Sequence, residues 1–587
     1  MTCGGRASRV RNPVKSAMAI LFLSIMLSAA LIPARGASAR AACILDMRRE
    51  YMGALTEESW RIEHWRNQLR SRGMETRITT PGRLERDLAG CRLLVLSDAG
   101  ELTEAQTAAV LNFLERGNSL ILTGRSGEKN SRPGADSLSD ELGLKYADLR
   151  VDGETAPRII MNTPSYLTAR ILPGQLIFTA EAPGYTTLRD AAGSIPGYWY
   201  STEGGQDSER WFNYPAMLAS TYRGGRFLWL GPTIDSFGGD IDTADALAKL
   251  IDNALDWFYN RAAAEKNPWK GFYEKSIIFA QDTEAGFANT LELLRIEDLP
   301  PTTFFVLTDM ARINMAVFLA VGENPAAEIA VHGDSHDVFR GQSFEEQKAR
   351  FRAILDFKEK AGRTDVTGFR PPEEQYDYYT LRAMAETGFE YIFADDWPSR
   401  AAPKILDIQG KTLVQFPLLN RDDIKIIVEQ RLYDNSLILE EYIADIDNIF
   451  SLGGLYMFDF HSHVLASERH IHVIRDIINY LRPLNVWKVS CAEMSDWWKM
   501  RDNVDFKVVS RTTNFIEIEA VNRSREIPAE GISFTVWLPD GTRSARAETP
   551  PGRRPAAGFR FLDGRAVTAM PELEPLETFR FRVIWEN

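Results

Sequence analysis

At 587 residues the chain is too long for one hydrophobic core, and about two to four domains are expected. A hydrophobic content of 44% is ordinary for a folded protein, and a net charge of −13 argues against a nucleic-acid partner. Four cysteines, widely spaced and without a Cys-x-x-Cys, exclude a disulfide framework and a thiolate metal site.

Residues 1–41 have the layout of a secretory signal peptide. Arg6, Arg9, Arg11 and Lys15 precede the apolar run "AMAILFLSIMLSAALIP", which ends near the small-residue sequence "GASARAA". The run is shorter than the ~20 apolar residues a spanning helix needs, so cleavage near Ala39 or Ala41 is expected rather than a retained anchor. The sequence before Cys43 does not read as a lipid-attachment site. Removal of residues 1–41 takes away six basic residues and no acidic ones, moving the net charge from −13 to −19. Such a surface attracts cationic material, such as a sugar polymer with free amines, or simply confers solubility. The expected location is periplasmic or extracellular. Cys43, Cys91 and Cys491 remain, which allows one bridge and leaves one thiol.

From residue 42 to 262 strands alternate with helices. "ACILDM", "RLLVLSDA", "SLILTG" and "RFLWLG" suit buried parallel strands, while "TEAQTAAVLNFLERG" and "TADALAKLIDNALDWFYN" have helical periodicity. The pattern resembles the flavodoxin-like domains of the class I glutamine-amidotransferase type. The turn after "SLILTG" offers Ser126 where catalytic members carry cysteine, and His64 is the only histidine in this half. A non-catalytic α/β domain is expected. Residues 262–275, charged and containing Pro and Gly, read as a linker.

Residues 274–501 alternate again. "TTFFVLT", "EIAVHG", "TGFRPP", "YIFADD", "LYMFDFH" and "NVWKVS" are strand-like, with "EEQKARFRAILDFKEK" and "IRDIINYLR" helical between them, as in a (β/α) barrel of eight units or fewer. Residues 503–587 alternate with period two and read as a small β-sandwich.

Six of the seven histidines lie between residues 332 and 472. In "HGDSH" the spacing of four places His332 and His336 one turn apart if a helix begins there, so that both could reach one cation; two surface histidines are the plainer reading. A catalytic zinc typically takes three protein ligands, and the third is expected to be a carboxylate from another loop. "IIFAQDTEAG" is an apolar strand running into Asp282 and Glu284, which point to one side of an extended chain; solvated acids at a strand end are the alternative.

These segments, in this order, resemble the NodB-homology polysaccharide deacetylases of the carbohydrate esterase family 4 type. "HGDSH" is similar to the family's metal-binding His-[Ser/Thr]-x-x-His, with Gly333 in place of Ser or Thr. "GFRPPEEQYDYYTLRAM" is similar to its Arg-x-Pro motif and following helix, "YMFDFHSHVL" to the strand ending in a catalytic histidine, and "VWKVSCAEMSDWW" to the closing strand and helix. Where the family usually has Asp-Asp-Gly, this chain has "AQDTEAG", closer to the Asp-x-Glu form met in exopolysaccharide-modifying systems.

The resemblance implies a metal-dependent N-deacetylase with a divalent ion, zinc being expected, held by Glu284, His332 and His336. Asp282 is then the general base and Arg370 its orienting partner; His461 and His463 share a face if the strand continues and either could be the general acid, His461 matching the family register better. If Gln281 instead fills the first acidic position, Asp282 becomes the ligand. Pro372, Glu373, Trp397 and His463 are expected against the substrate, Glu373 standing where a tyrosine is common. Asp395 or Asp396 orients the acid histidine or belongs to a structural loop, and His470 and His472 are peripheral. The expected partners are an N-acetylated polysaccharide and an exopolysaccharide export machinery, with no transmembrane span in the mature chain. The alternative is a non-catalytic carbohydrate-binding protein that keeps the fold.

Overall fold

The computed structural model describes residues 41–47, 57–149, 158–180, 185–200, 213–363, 365–395, 398–562 and 564–587. The signal-peptide reading and Trp397 lie outside the described residues, as does Asp396. The protein is mixed α/β.

Six strands form the first sheet: β1 (Ala41–Leu45), β2 (Glu75–Thr79), β3 (Leu93–Ser97), β4 (Ser119–Thr123), β5 (Met217–Tyr222) and β6 (Gly225–Leu230), in the order β5-β6-β4-β3-β1-β2. All neighbours are parallel except β5, which pairs antiparallel with β6. The central strands β1, β3 and β4 are buried on both faces, where helices cover the sheet, whereas the edge strand β2 is largely exposed. One face packs on Ile251 and Ala254 of the helix Ile241–Phe258, the other on Val110 and Leu114 of the helix Glu104–Glu115. Cys43 of β1 is disulfide-bonded to Cys91, and Cys491 is a buried free thiol.

The central sheet has nine strands: β7 (Lys275–Thr283), β8 (Thr302–Leu307), β9 (Ala327–Gly333), β10 (Gly368–Phe369), β11 (Tyr391–Ile392), β12 (Lys404–Ile408), β13 (Lys411–Gln415), β14 (Leu455–His461) and β15 (Val486–Lys488). Their order is β12-β13-β11-β10-β9-β8-β7-β14, with β15 against the start of β7. Only the β12–β13 pair is antiparallel. The expected barrel is therefore not closed: the sheet is a curled half-barrel whose outer strands are β12 and β14. An antiparallel hairpin at one edge cannot continue a parallel ring.

Alternation along each central strand sorts side chains between two cores. Ile277 and Phe279 of β7 face helices that include α1 (Phe344–Lys360) and α2 (Tyr378–Thr387). Ile278 and Ala280 face a second core that continues into Phe534, Phe581 and Trp585 near the C-terminus. Two four-stranded antiparallel sheets supply that end of the chain. One of them includes Ala263–Lys266, paired with Ser533–Trp537. The expected linker at 262–275 thus contains a strand, because "AAEK" buries its two alanines under the C-terminal sheet.

Candidate active site

The inner rows of the central strands end in the reactive side chains. On β7 the row Ile278, Ala280 continues into Asp282 and Glu284; on β9 Ala330 leads to His332; on β14 Leu455 and Met457 lead to Asp459 and His461. Parallel pairing brings these strand ends to one rim. Gln281 points the other way and accepts hydrogen bonds from the hydroxyls of Thr290 and Thr283 at 2.7 and 3.2 Å, so it is not among the converging groups.

Three donor atoms converge first. His332 Nε2 lies 3.1 Å and His336 Nε2 2.9 Å from the same Glu284 Oε1. His336 does not reach this point through a helical turn, as its spacing predicted. After β9 the chain bends through Gly333, at φ 130°, where an added Cβ would stand 2.7 Å from Ser335 O. The loop that carries His336 is held by Arg350 of α1, whose Nε meets Asp334 Oδ1 at 2.7 Å and whose Nη atoms donate to Asp337 O and Val338 O. Arg350 was not singled out from sequence; its position in the middle of a helix gives no sign of this task.

The donor set fits a divalent metal. His332 Nδ1 lies 3.1 Å from Arg370 O, and a carbonyl only accepts, so Nδ1 carries the hydrogen. The other ring nitrogen, Nε2, faces the Glu284 oxygen at 3.1 Å, and a bound cation would take both atoms as ligands. Two histidines and one carboxylate also leave positions open, as in hydrolytic zinc sites. Burial alone would raise the Glu284 carboxyl, but the hydrogen bond from His332 and the charges of His332, His461 and His336 bring it down to about 2.

Asp282, 1% exposed, stands beside this group with Oδ2 2.8 Å from Arg370 Nε. His461 approaches it from β14, Nε2 lying 3.7 Å from the same Oδ2. The partner that orients His461 is Asp423, fully buried: Oδ1 accepts from Nδ1 at 2.6 Å, and Oδ2 accepts from the backbone N–H of His461 and Leu465 at 2.8 and 3.0 Å. Burial acts to lower the His461 pKa, but the charge and hydrogen bond of Asp423, with Asp282 and Asp459, raise it to about 10. Asp395 does not orient His461; it is paired with Lys404 at 2.8 Å.

The remaining expected residues divide. Pro372 is buried against Gly333, and Glu373 is exposed with φ 54°. Glu374 also has positive φ, 56°, so two consecutive non-glycine residues occupy a sparsely populated conformation at this rim. His463 lies with Nδ1 3.9 Å from Glu284 Oε2. His470 and His472 both meet Asn435 instead of the converging groups.

Residues 275–392 match the family model for polysaccharide deacetylases. A comparison with curated proteins finds no match. Among solved structures, a putative polysaccharide deacetylase from Mycobacterium smegmatis is similar at 18% identity and TM-score 0.36, over 40% of this chain and 93% of that one. A probable polysaccharide deacetylase from Pseudomonas aeruginosa PAO1 is similar at 15% identity and TM-score 0.35, over 38% and 91%. Agd3, described as a novel carbohydrate deacetylase, is similar at 10% identity and TM-score 0.35, over 93% and 99%. The match to the polysaccharide deacetylase family thus lies on residues 275–392, the stretch that carries Asp282, Glu284, His332, His336 and Arg370.

Proposed function

We propose that the protein is an exported, metal-dependent deacetylase that removes N-acetyl groups from a hexosamine-containing polymer. The observation that carries this reading is the convergence of Glu284, His332 and His336 on one point beside the Asp282–His461 pair. A divalent metal held by those three residues, zinc being expected, supplies Lewis-acid polarisation of the amide carbonyl and acidifies bound water.

Asp282 accepts the proton of the attacking water, and its Oδ1 has no hydrogen-bond partner among the described residues. Arg370 holds that carboxylate in place through a buried contact. His461 enters as imidazolium, secured by Asp423, and donates its Nε2 proton to the departing nitrogen. A carbon–oxygen bond forms, the carbon–nitrogen bond breaks, and acetate leaves a free amine on the sugar.

The N-terminal sheet is read as a flavodoxin-like, amidotransferase-like module without catalysis of its own. Ser126, at the position where a nucleophile would stand, is fully buried, and its Oγ lies 2.7 Å from Thr123 O and 3.0 Å from Leu96 O. The C-terminal sheets are read as a β-sandwich. Export is supported by the Cys43–Cys91 disulfide, which persists in oxidising compartments. Cleavage after Ala39 would leave β1 whole. Among the described residues no helix is long and apolar enough to cross a membrane.

The test is acetate release from N-acetylated hexosamine oligomers, with a chelator and with zinc restored, beside Asp282→Asn and His336→Ala. Zinc-restored release lost in both variants is expected. No release by folded, metal-loaded protein would leave a non-catalytic carbohydrate-binding protein.

A further inference from the structure

Asp459 transfers no proton in the chemistry above, yet it touches the group that supports Asp282. Asp459 lies on β14 two residues before His461, so its side chain shares the inner face, and it pairs in register with Ala280. It is 1% exposed. Its Oδ2 stands 2.7 Å from Arg370 Nη2, while Nε of the same guanidinium stands 2.8 Å from Asp282 Oδ2. One buried cation is therefore seated between carboxylates from two neighbouring strands. Neither contact is aligned as a full hydrogen bond, and burial pushes the Asp459 carboxyl well above the usual carboxylate range, so what Asp459 offers Nη2 is an oxygen at close range.

The guanidinium is also drawn outward. Nη2 donates to Glu374 Oε1 at 3.2 Å, and that side chain, 35% exposed, lies towards solvent in the segment with positive φ. Behind the guanidinium, the Phe393 ring sits 4.6 Å from Cζ. A planar guanidinium moves as one body, so the pull on Nη2 sets where Nε lies. Asp459 opposes Glu374 from the buried side. Without it, the remaining carboxylate on Nη2 draws the group towards the mouth and away from Asp282.

We propose that Asp459 is a positioning residue, keeping the Arg370 guanidinium seated beside Asp282 by holding its far end. Its kinetic readout rests on the proposed deacetylase function, and its spectroscopic readout does not.

The test compares the full mature chain with Asp459→Asn, which keeps an acceptor oxygen, and Asp459→Leu, which keeps the volume and removes it. In zinc-loaded protein, Asp459→Leu is expected to lower kcat about 100-fold with KM within about twofold, and Asp459→Asn to recover most of that loss. In parallel, the Arg370 Nε–H resonance, assigned by its disappearance in Arg370→Lys, should resist solvent exchange in wild type and Asp459→Asn but not in Asp459→Leu. If Asp459→Leu does not fold, Asp459→Ser, whose oxygen is too short to reach, takes its place. Unchanged kcat in the folded variant, a rise in KM alone, or an Nε–H as protected as in wild type would overturn the proposal. Absence of acetate release from wild type would count against the deacetylase reading alone, and the exchange comparison would still decide the role of Asp459.

Discussion

Asp282 and His461 are register partners on neighbouring parallel strands, and their facing atoms, Oδ2 and Nε2, are 3.7 Å apart. Amide hydrolysis needs this closeness, because the incoming oxygen and the departing nitrogen are bonded to the same carbon. Asp282→Asn should lower kcat by at least about 100-fold while zinc content stays at the wild-type level. Steady-state kinetics with elemental analysis of the same sample checks both statements. An active variant would remove Asp282 from the base role.

The elevated pKa of His461 sets a pH limit. The acid must be protonated, so activity should hold at neutral pH and fall as pH rises through about 10. Asp423→Asn removes the largest raising influence and leaves burial, which lowers, so the alkaline limb should move to lower pH. The stability contribution has the same sign: it is fully present below the ~6.5 of an unfolded histidine and is lost as pH rises through the folded value. A pH–rate profile of wild type and Asp423→Asn, with thermal melts across the same range, measures both effects.

Metal retention should separate from folding at His336. Its side chain is 45% exposed, so His336→Ala should change stability by less than about 1 kcal/mol in metal-free protein. Zinc binding by titration calorimetry should weaken strongly. Unaltered zinc affinity would remove His336 from the ligand set.

The Cys43–Cys91 bridge closes a loop with a sequence separation of 48 between a buried strand and the entry to β3. Its reduction should destabilise the N-terminal sheet by about 3–4 kcal/mol, seen as a lower denaturation midpoint in reductant and in Cys91→Ala. Equal midpoints with and without reductant would show that the bridge contributes nothing.

Gly174 packs closely against the segment between β11 and β12. It has φ 59°, and an added Cβ would stand 2.9 Å from the Ala401 Cβ. Gly174→Val should cost about 1–3 kcal/mol through overpacking, with further strain from the backbone. Chemical denaturation would reveal it.

Much of the site was legible because strand alternation is a strict rule. An apolar strand ending in Asp282 and Glu284 places both acids on one side, whereas alternation left His461 and His463 on one face and only the resemblance favoured His461. The failures have physical causes. His332 and His336 suggested a helix, but Gly333 turns the chain into a loop that the spacing alone does not distinguish. Asp423 was missed because it follows no recognisable strand; it precedes the π-helical turn Ile424–Glu429, and its link to His461 spans 38 residues. Asp459 lay within a quoted strand, yet nothing local to "FDF" indicates an arginine from a distant turn. The alternation of strands and helices indicated a (β/α) barrel of eight units or fewer, but nothing in such a pattern shows whether the ring closes, and the sheet is a half-barrel.

The contacts across the molecule also fix an order of events during synthesis. Leu176 N donates to Ser399 O, and Ala401 N to Pro173 O, at 2.6 and 2.7 Å, while Ala263–Lys266 pairs with a strand that begins at Ser533. Each early segment leaves the ribosome long before its partner exists. The nascent chain therefore carries unpaired backbone and bare apolar surface through most of its translation, with completion waiting for nearly the last strand. Translation pauses or chaperone depletion should accordingly harm yield most after residue 266 has emerged and before residue 537 has followed.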